Sequence, residues 1–182
     1  MNFLKKSFSL IELLIFLSLL LIIVAVCVPR FDFFNKYLLS HDLDKLYMLF
    51  TYLHQKSIAS NKKHVLTLDL AKNGFTYFST TPVSEKLSEK ISFGFIDGAM
   101  GPPASPTKKI EKPVYVERPI NNTDRNTDNM IGFWPDGRIT PGTLYLVDKA
   151  HKYMGALTCS VSQVSYIRRY RYENFRWKCL EN

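Results

Sequence analysis

Histidine and cysteine are scarce in this chain of 182 residues, which has four of the first and three of the second. The histidines show no metal-ligand spacing and no CxxC pair occurs, so we predict no metal site. The GxSxG, HExxH, P-loop and GxGxxG motifs are also missing. The sequence therefore lacks the common signatures of nucleophilic, zinc-dependent and nucleotide-dependent enzymes, and we expect a non-enzymatic protein without a cofactor.

The composition is that of a folded protein rather than a disordered one. Hydrophobic residues make up 46% of the chain and charged residues 22%, so a domain-sized core is expected. The formal net charge is +8. This balance permits attraction to anionic lipid or nucleic acid, but a basic surface more often serves only solubility, and the charge identifies no partner by itself.

A long apolar run lies near the N-terminus. Residues 13–28 are all apolar except Ser18, and counting from Phe8 gives 21 residues, close to the roughly 20 that cross a bilayer as a helix. Lys5 and Lys6 precede the run, so the positive-inside rule predicts a cytoplasmic N-terminus. The rest of the chain is then expected on the far side of the membrane.

Glu12 needs an explanation, because an ionised carboxylate inside a bilayer is costly without a partner. A cleaved secretory signal is disfavoured, since the run ends in VCVPRFDFF without an A-x-A-like site. A plain signal anchor explains the lysines and the run but not Glu12. A third interpretation is cleavage between Ser7 and Phe8, which frees an amine four residues before Glu12. In a helical assembly the carboxylate of one subunit then neutralises the terminal amine of its neighbour.

The stretch KKSFSLIELL resembles the class III signal of type IV pilins and pseudopilins. Ser7 stands where most members have glycine, and four residues match the signal directly: Phe8, Leu10, Ile11 and Glu12. The resemblance implies that residues 1–7 are a leader, removed by a prepilin peptidase between Ser7 and Phe8. It also implies that the same enzyme N-methylates Phe8, which keeps the positive charge that pairs with Glu12 during filament assembly.

The same resemblance implies an α+β, pilin-like fold, with a long N-terminal helix packed on a C-terminal antiparallel β-sheet head. The expected helix covers residues 8–60, crosses the membrane over about 8–28 and continues as a stalk. Pro29 falls where pilin helices commonly have a kink-forming proline. The head is expected over residues 61–182 and in the periplasm.

The stalk has apolar residues close to a 3.6-residue period, as a helix packed on one side requires. We predict that one set of side chains forms this stripe: Phe34, Leu38, Leu46, Leu49, Phe50 and Leu53. We place another set away from the stripe: Asp42, Asp44, Lys45 and Gln55.

The head has the alternation and turn residues of short strands. Residues 63–80 predict a hairpin whose tight turn is Asn73-Gly74, and KISFGFIDG predicts a further strand. Residues 101–113, rich in proline and lysine, predict a surface loop, and PVYVERPI predicts a short edge strand. Asp124 and Asp128 lie in a polar stretch without the spacing of a calcium loop, so we expect them in a solvated loop.

Residues 131–148 predict a strand, a turn at Pro135-Asp136-Gly137 and a second strand. An aromatic-x-Pro-Asp-Gly turn followed by Gly-Thr and an alternating strand resembles the minor pseudopilin H group, shared with FimT-like minor pilins. The passage from stalk to first head strand, YLHQKSIASNKKHVLTLDL, is also similar to theirs.

The C-terminal stretch predicts a last strand pair with four candidate core residues: Val161, Val164, Tyr166 and Ile167. Its segment YIRRYRYENFRWK interleaves arginine with aromatic residues. In one interpretation the aromatics face inward and the arginines are solvated. In the other, Arg168, Arg169 and Arg171 contact DNA phosphates, as an arginine-rich C-terminal motif implies for FimT-like relatives. Cys159 and Cys179 either form a disulfide or remain unpaired core residues.

The resemblance implies a minor pseudopilin, a structural subunit of the periplasmic pseudopilus of a type II secretion system. The implied partners are other pilins or pseudopilins, a prepilin peptidase and an inner-membrane assembly platform. The implied location is the inner membrane, crossed once, and then the filament. Two alternatives remain open: a FimT-like minor pilin that binds DNA for uptake, and an adhesin-like pilin subunit.

Overall fold

The computed structural model describes residues 9–27, 31–116, 129–159 and 166–180. Several residues with predicted roles lie outside these ranges: Ser7, Phe8, Pro29, Asp124, Asp128, Val161 and Val164. The chain divides into two compact units, Met1–Phe34 and Asn35–Asn182. Helix α1, Leu10–Cys27, belongs to the first unit, whereas most of helix α2, Phe31–Ser60, belongs to the second with all of the described strands.

Both helices have recognisable boundary signals. Helix α1 begins after Ser9, whose hydroxyl accepts a hydrogen bond from the backbone N–H of Ile11 at 3.2 Å. Helix α2 ends at Ser60 because Asn61 adopts a left-handed conformation with φ 50°. Two backbone bonds then close the end, from Lys62 N–H to the Ser57 carbonyl at 3.2 Å and from Asn61 N–H to the Ile58 carbonyl at 3.3 Å. This pattern is the Schellman motif.

Among the residues that the structure describes, no helix is both long and apolar enough to cross a membrane.

The buried face of α2 forms one wall of the head core. Five side chains spaced by three or four residues are fully buried: Leu39, Leu43, Leu46, Phe50 and Leu53. The predicted stripe is therefore correct at Leu46, Phe50 and Leu53, whereas Phe34 is 49% exposed and Leu38 and Leu49 are only partly buried. Asp42, which we placed away from the stripe, is buried on this face.

The described part of the head contains twelve strands: β1 (His64–Asp69), β2 (Gly74–Phe78), β3 (Pro82–Lys86), β4 (Ile91–Phe93), β5 (Met100–Gly101), β6 (Lys108–Lys109), β7 (Val114–Val116), β8 (Met130–Phe133), β9 (Gly142–Asp148), β10 (Met154–Cys159), β11 (Ile167–Glu173) and β12 (Arg176–Cys179).

These strands form two main sheets in which every described pairing is antiparallel. The first sheet has the order β3-β2-β1-β8, and the second has the order β12-β11-β10-β9-β4, with β7 also paired to β9. Strands β5 and β6 form a separate two-stranded ribbon. The α2 stripe packs against both sheets. The ring of Phe50 on α2 contacts the ring of Phe133 on β8 edge-on, with 5.5 Å between the ring centres. The predicted α+β fold, a helix packed on antiparallel sheet, is confirmed.

Three predicted turns or loops differ in detail. The β1–β2 turn uses Asn73 at φ 48°, whereas Gly74 already belongs to β2, where a side chain would lie 2.9 Å from the Glu85 carbonyl oxygen. Strands β8 and β9 do flank the predicted turn, but they belong to different sheets. The proline-rich residues 101–113 include part of the β5–β6 ribbon, so this segment is not wholly an irregular loop.

The Pro135-Asp136-Gly137 turn is confirmed and contacts the end of α2. Gly137 has φ 82°, and its N–H donates to the Trp134 carbonyl at 3.0 Å. Ser57 of α2 donates to the same carbonyl at 3.0 Å. The Nε2 atom of His54 lies 2.9 Å from the carbonyl oxygen of Gly137. This turn therefore fixes the loop after β8 against the helix.

Candidate functional site

Helix α1 is apolar on every side. Its large hydrophobic side chains from Leu10 to Val24 are between 45% and 81% exposed. The polar side chain of Ser18 is satisfied internally, because its hydroxyl donates to the Ile15 carbonyl at 2.8 Å. A helix that is hydrophobic all round is stable only inside a lipid bilayer or a bundle of other helices.

Glu12 caps the start of α1. Its carboxylate accepts a hydrogen bond from the backbone N–H of Ser9 at 3.0 Å. Together with the Ser9 hydroxyl bond to Ile11, this forms the reciprocal capping box of an S-x-x-E sequence. Sequence reasoning missed this local role, although the spacing of Ser9 and Glu12 carries the signal. The predicted role of Glu12 in filament assembly remains a prediction beside it.

Two of the three candidate DNA-contacting arginines face α2 instead of solvent. The Arg169 guanidinium forms an ion pair with Asp44 and lies 4.5 Å from the centre of the Tyr47 ring. Arg171 donates to the Ser40 hydroxyl at 2.7 Å. Their side chains are only 18% and 23% exposed. The expectation that the arginines are solvated is wrong here, because alternation along β11 directs these two toward the helix.

Tyr170 and Tyr172 of β11 and Trp177 of β12 occupy the other face of the sheet. Tyr170 is buried, and the rings of Tyr172 and Trp177 are 5.0 Å apart. The Trp177 indole N–H donates to the Met100 carbonyl at 2.7 Å, which ties β12 to the ribbon. Burial raises the pKa of the neighbouring Tyr145 to about 12. These aromatics therefore build a small second core, in agreement with the interpretation in which the aromatic side chains face inward.

The start of this segment, from Tyr166 to Arg168, is less buried than the predicted core. Arg168 lies with its guanidinium 4.2 Å from the centre of the Tyr166 ring, a cation–π contact. Tyr166 is 41% exposed and is not a core residue, contrary to the prediction. Ile167 packs partly buried against the main core.

The two C-terminal cysteines are both free thiols. Cys159 is paired with Ile167 of β11, and Cys179 with Tyr170 on the other side of the same strand. Two strand spacings across the sheet and three residues along it separate their Cα atoms by about 14 Å. A disulfide needs Cα atoms within about 7 Å, so the disulfide alternative is wrong for this fold.

Asp42 is a buried carboxylate that sequence reasoning placed away from the apolar stripe of α2. It is 1% exposed and accepts hydrogen bonds from the Ser88 backbone N–H at 2.7 Å and the Ser88 hydroxyl at 2.9 Å. The signal was present in the spacing, since Asp42 is three residues after Leu39 and four before Leu46. Its bonds fix the segment before β4 to α2.

Within residues 9–27, 31–116, 129–159 and 166–180, no three histidine, cysteine, aspartate or glutamate side chains are grouped so that they could hold a metal ion.

No protein-family model matches this chain, and no curated protein matches it in sequence. Two solved structures of the minor pseudopilin EpsH from the type II secretion system of Vibrio cholerae are similar. One is 12% identical, with a TM-score of 0.47, and covers 72% of this chain and 94% of its own. The other is 14% identical, with a TM-score of 0.43, and covers 80% of this chain and 94% of its own.

Proposed function

We propose that this chain is a minor pseudopilin, a non-enzymatic subunit of the periplasmic pseudopilus of a type II secretion system. The observation that carries the proposal is an apolar helix, α1, exposed on all sides and followed by a head with its own core. Such a helix needs lipid before assembly and other helices afterwards. One segment then serves successively as inner-membrane anchor and as filament core.

The N-terminal residues supply the processing step of this proposal. Lys5 and Lys6 hold the leader in the cytoplasm, and a prepilin peptidase cuts between Ser7 and Phe8. The amine freed on Phe8, once methylated, keeps its positive charge. Glu12 of the adjoining subunit in the filament neutralises it, and this pairing sets the register of each added subunit.

Assembly of this kind requires partners along the whole helix. Other pilins or pseudopilins cover the apolar surface of α1, and an inner-membrane assembly platform adds the subunit to the filament. Uptake of DNA is supported less well, because Arg169 and Arg171 are engaged with α2.

Variants of Glu12 test the assembly role against the capping role. We expect Glu12→Ala and Glu12→Gln to be inserted and cleaved normally but to enter filaments about tenfold less, because each leaves the neighbouring amine unpaired in an apolar environment. The measurement is the fraction of chain recovered with sheared filaments relative to the membrane-bound pool.

Ser9→Ala is the matched control. It removes part of the cap, at a cost of about 1 kcal/mol to the helix end, and keeps the Glu12 charge. Glutamine also completes a capping box. Normal assembly of Glu12→Gln, with loss in Glu12→Ala and Ser9→Ala, would assign Glu12 to capping alone and refute the register role.

A further inference from the structure

The β11–β12 hairpin ends in a turn of unusual composition. Glu173 pairs with Arg176, so Asn174 and Phe175 form a two-residue turn. Both have positive φ angles, 50° and 60°. Turns of this kind favour Asn-Gly, because a large side chain in the second position is strained in the left-handed region. Phenylalanine in the second position therefore lowers the stability of this turn.

The same phenylalanine has no packing role that would compensate for the strain. Phe175 is 91% exposed, the highest value among the large hydrophobic side chains that the structure describes. A strained backbone that carries an exposed aromatic ring is more consistent with a binding role than with a folding role.

The hairpin tip has a basic surround. From Ile167 to Cys179 the hairpin contains five basic residues and one acidic residue, although two of the basic residues, Arg169 and Arg171, face α2 rather than the tip. That acidic residue, Glu173, is paired with Lys36 at 2.8 Å, and Lys36 holds the pKa of the Glu173 carboxyl below its usual value. Arg176 and Lys178 of β12 are exposed. Anionic groups are therefore the complementary ligands of this tip.

The contact with Lys36 also places the tip at the N-terminal end of α2. Eight residues of chain lie between Lys36 and Cys27, the last residue of the apolar helix α1. The exposed Tyr37 lies next to Lys36 in the sequence. An aromatic tip with flanking arginine and lysine is the composition found where proteins meet the headgroup layer of a bilayer.

We propose that Phe175 inserts into the headgroup region of an anionic bilayer, while Arg176 and Lys178 bind lipid phosphates. This inference rests on the proposed function, in which α1 anchors the chain in that bilayer before assembly. The hairpin would then hold the head against the membrane surface until the subunit enters a filament.

The test uses the full chain in lipid nanodiscs, with Phe175→Trp as the reporter. Phe78→Trp is the matched control, because Phe78 is 63% exposed and lies at the end of β2 in the other sheet. The tryptophan emission of the parent chain is subtracted from that of each variant. The difference is then compared between discs that contain lipids brominated near the headgroup and discs that do not. We expect bromine to quench roughly half of the added emission at position 175 in anionic discs and little at position 78.

Two further comparisons define the basis of the binding. Quenching at position 175 should fall in zwitterionic discs, and it should fall again when Arg176→Ala and Lys178→Ala are added. Phe175→Gly should raise the urea midpoint of unfolding, since glycine relieves the positive φ. A lower midpoint would show that the ring serves folding and would overturn the inference.

The remaining outcomes separate this inference from the proposed function. If the chain co-elutes with discs but position 175 is not quenched, or positions 175 and 78 are quenched equally, the lipid contact is refuted while the anchor stands. Cross-linking of position 175 to a second subunit, without quenching, would assign the tip to a subunit contact and likewise refute it. If the chain does not associate with discs at all, both proposals fail.

Discussion

At the scale of single residues, Asp42 shows how one carboxylate fixes the head to its helix. The carboxylate is removed from water, and both of its oxygens accept hydrogen bonds from Ser88. Buried polar groups left without partners cost more than the hydrogen bonds themselves contribute. Ser88 precedes β4, so the bond joins a strand at the sheet edge to the centre of α2.

We expect Asp42→Ala to lower the free energy of unfolding by about 3 kcal/mol, because it leaves the Ser88 N–H and hydroxyl unsatisfied. Ser88→Ala, which removes one of the two bonds, should cost about 1 kcal/mol. Urea unfolding of the detergent-solubilised chain, followed by tryptophan fluorescence, gives both values. Equal costs for the two variants would contradict this account of Asp42.

Cys159 and Cys179 differ in reactivity because they differ in burial. Burial raises the pKa of the Cys159 thiol to about 12, whereas Cys179 is exposed. Only the thiolate reacts with alkylating agents, so Cys159 stays protected between pH 7 and 9.

Iodoacetamide labelling of the folded chain, read by peptide mapping, should therefore modify Cys179 and leave Cys159 untouched until urea unfolds the head. Cys179→Ser should remove the fast labelling in the C-terminal peptide. Rapid modification of Cys159 in the folded chain, or a peptide that links the two cysteines, would contradict the fold at β10–β12.

At the scale of elements, the contact between β11 and α2 decides what the arginine-rich segment does. Arg169 combines an ion pair with Asp44, a ring contact with Tyr47 and a 3.3 Å bond to the Leu180 carbonyl. Its side chain is mostly buried, so these contacts are less screened by water than those of surface ion pairs. The segment therefore holds the C-terminal hairpin to the helix.

We expect Arg169→Ala to destabilise the head by about 2 kcal/mol, because three contacts are lost together and Asp44 loses its partner. Arg176→Ala, a change at an exposed arginine of the neighbouring strand, should stay within about 0.5 kcal/mol. Arg169→Lys keeps the charge but not the planar contact with Tyr47, so its loss of stability should lie between those of Arg169→Ala and Arg176→Ala.

The variants at Arg169 also test the alternative that the chain binds DNA. Binding of the chain to duplex DNA should be weak and should not depend on Arg169. A steep loss of binding with salt, abolished by alanine at Arg168, Arg169 and Arg171, would instead favour a role in DNA uptake.

Much of the fold was predictable because local patterns and tertiary contacts agree. The alternation in β1 and the apolar spacing at Leu46, Phe50 and Leu53 predicted a strand and a helix that the structure contains. The Pro135-Asp136-Gly137 turn was predictable for the same reason.

Other features depend on contacts between segments far apart in the chain. The burial of Asp42 requires Ser88, 46 residues away, and the orientation of Arg169 requires Asp44, 125 residues away. The separation of β8 from β9 into two sheets likewise depends on pairing with β1 and β10. At Glu12 the missed feature was local, since the S-x-x-E spacing already predicts a capping box.

At the scale of the whole molecule, the chain joins a head with a buried core to a helix that has none. The core of the head lies between α2 and two sheets, and it is complete without α1. The large apolar side chains of α1 from Leu10 to Val24 are exposed. In the proposed function, anchoring followed by assembly uses both properties, and processing between Ser7 and Phe8 is the step that links them.

Intact-mass spectrometry of the chain from membranes of cells that contain a prepilin peptidase tests this account most directly. The 182-residue precursor should lose residues 1–7 and begin at a singly methylated Phe8, and the cleaved form should be the one recovered with filaments. A membrane-bound chain that keeps its full precursor mass and is never recovered with other subunits would contradict the account.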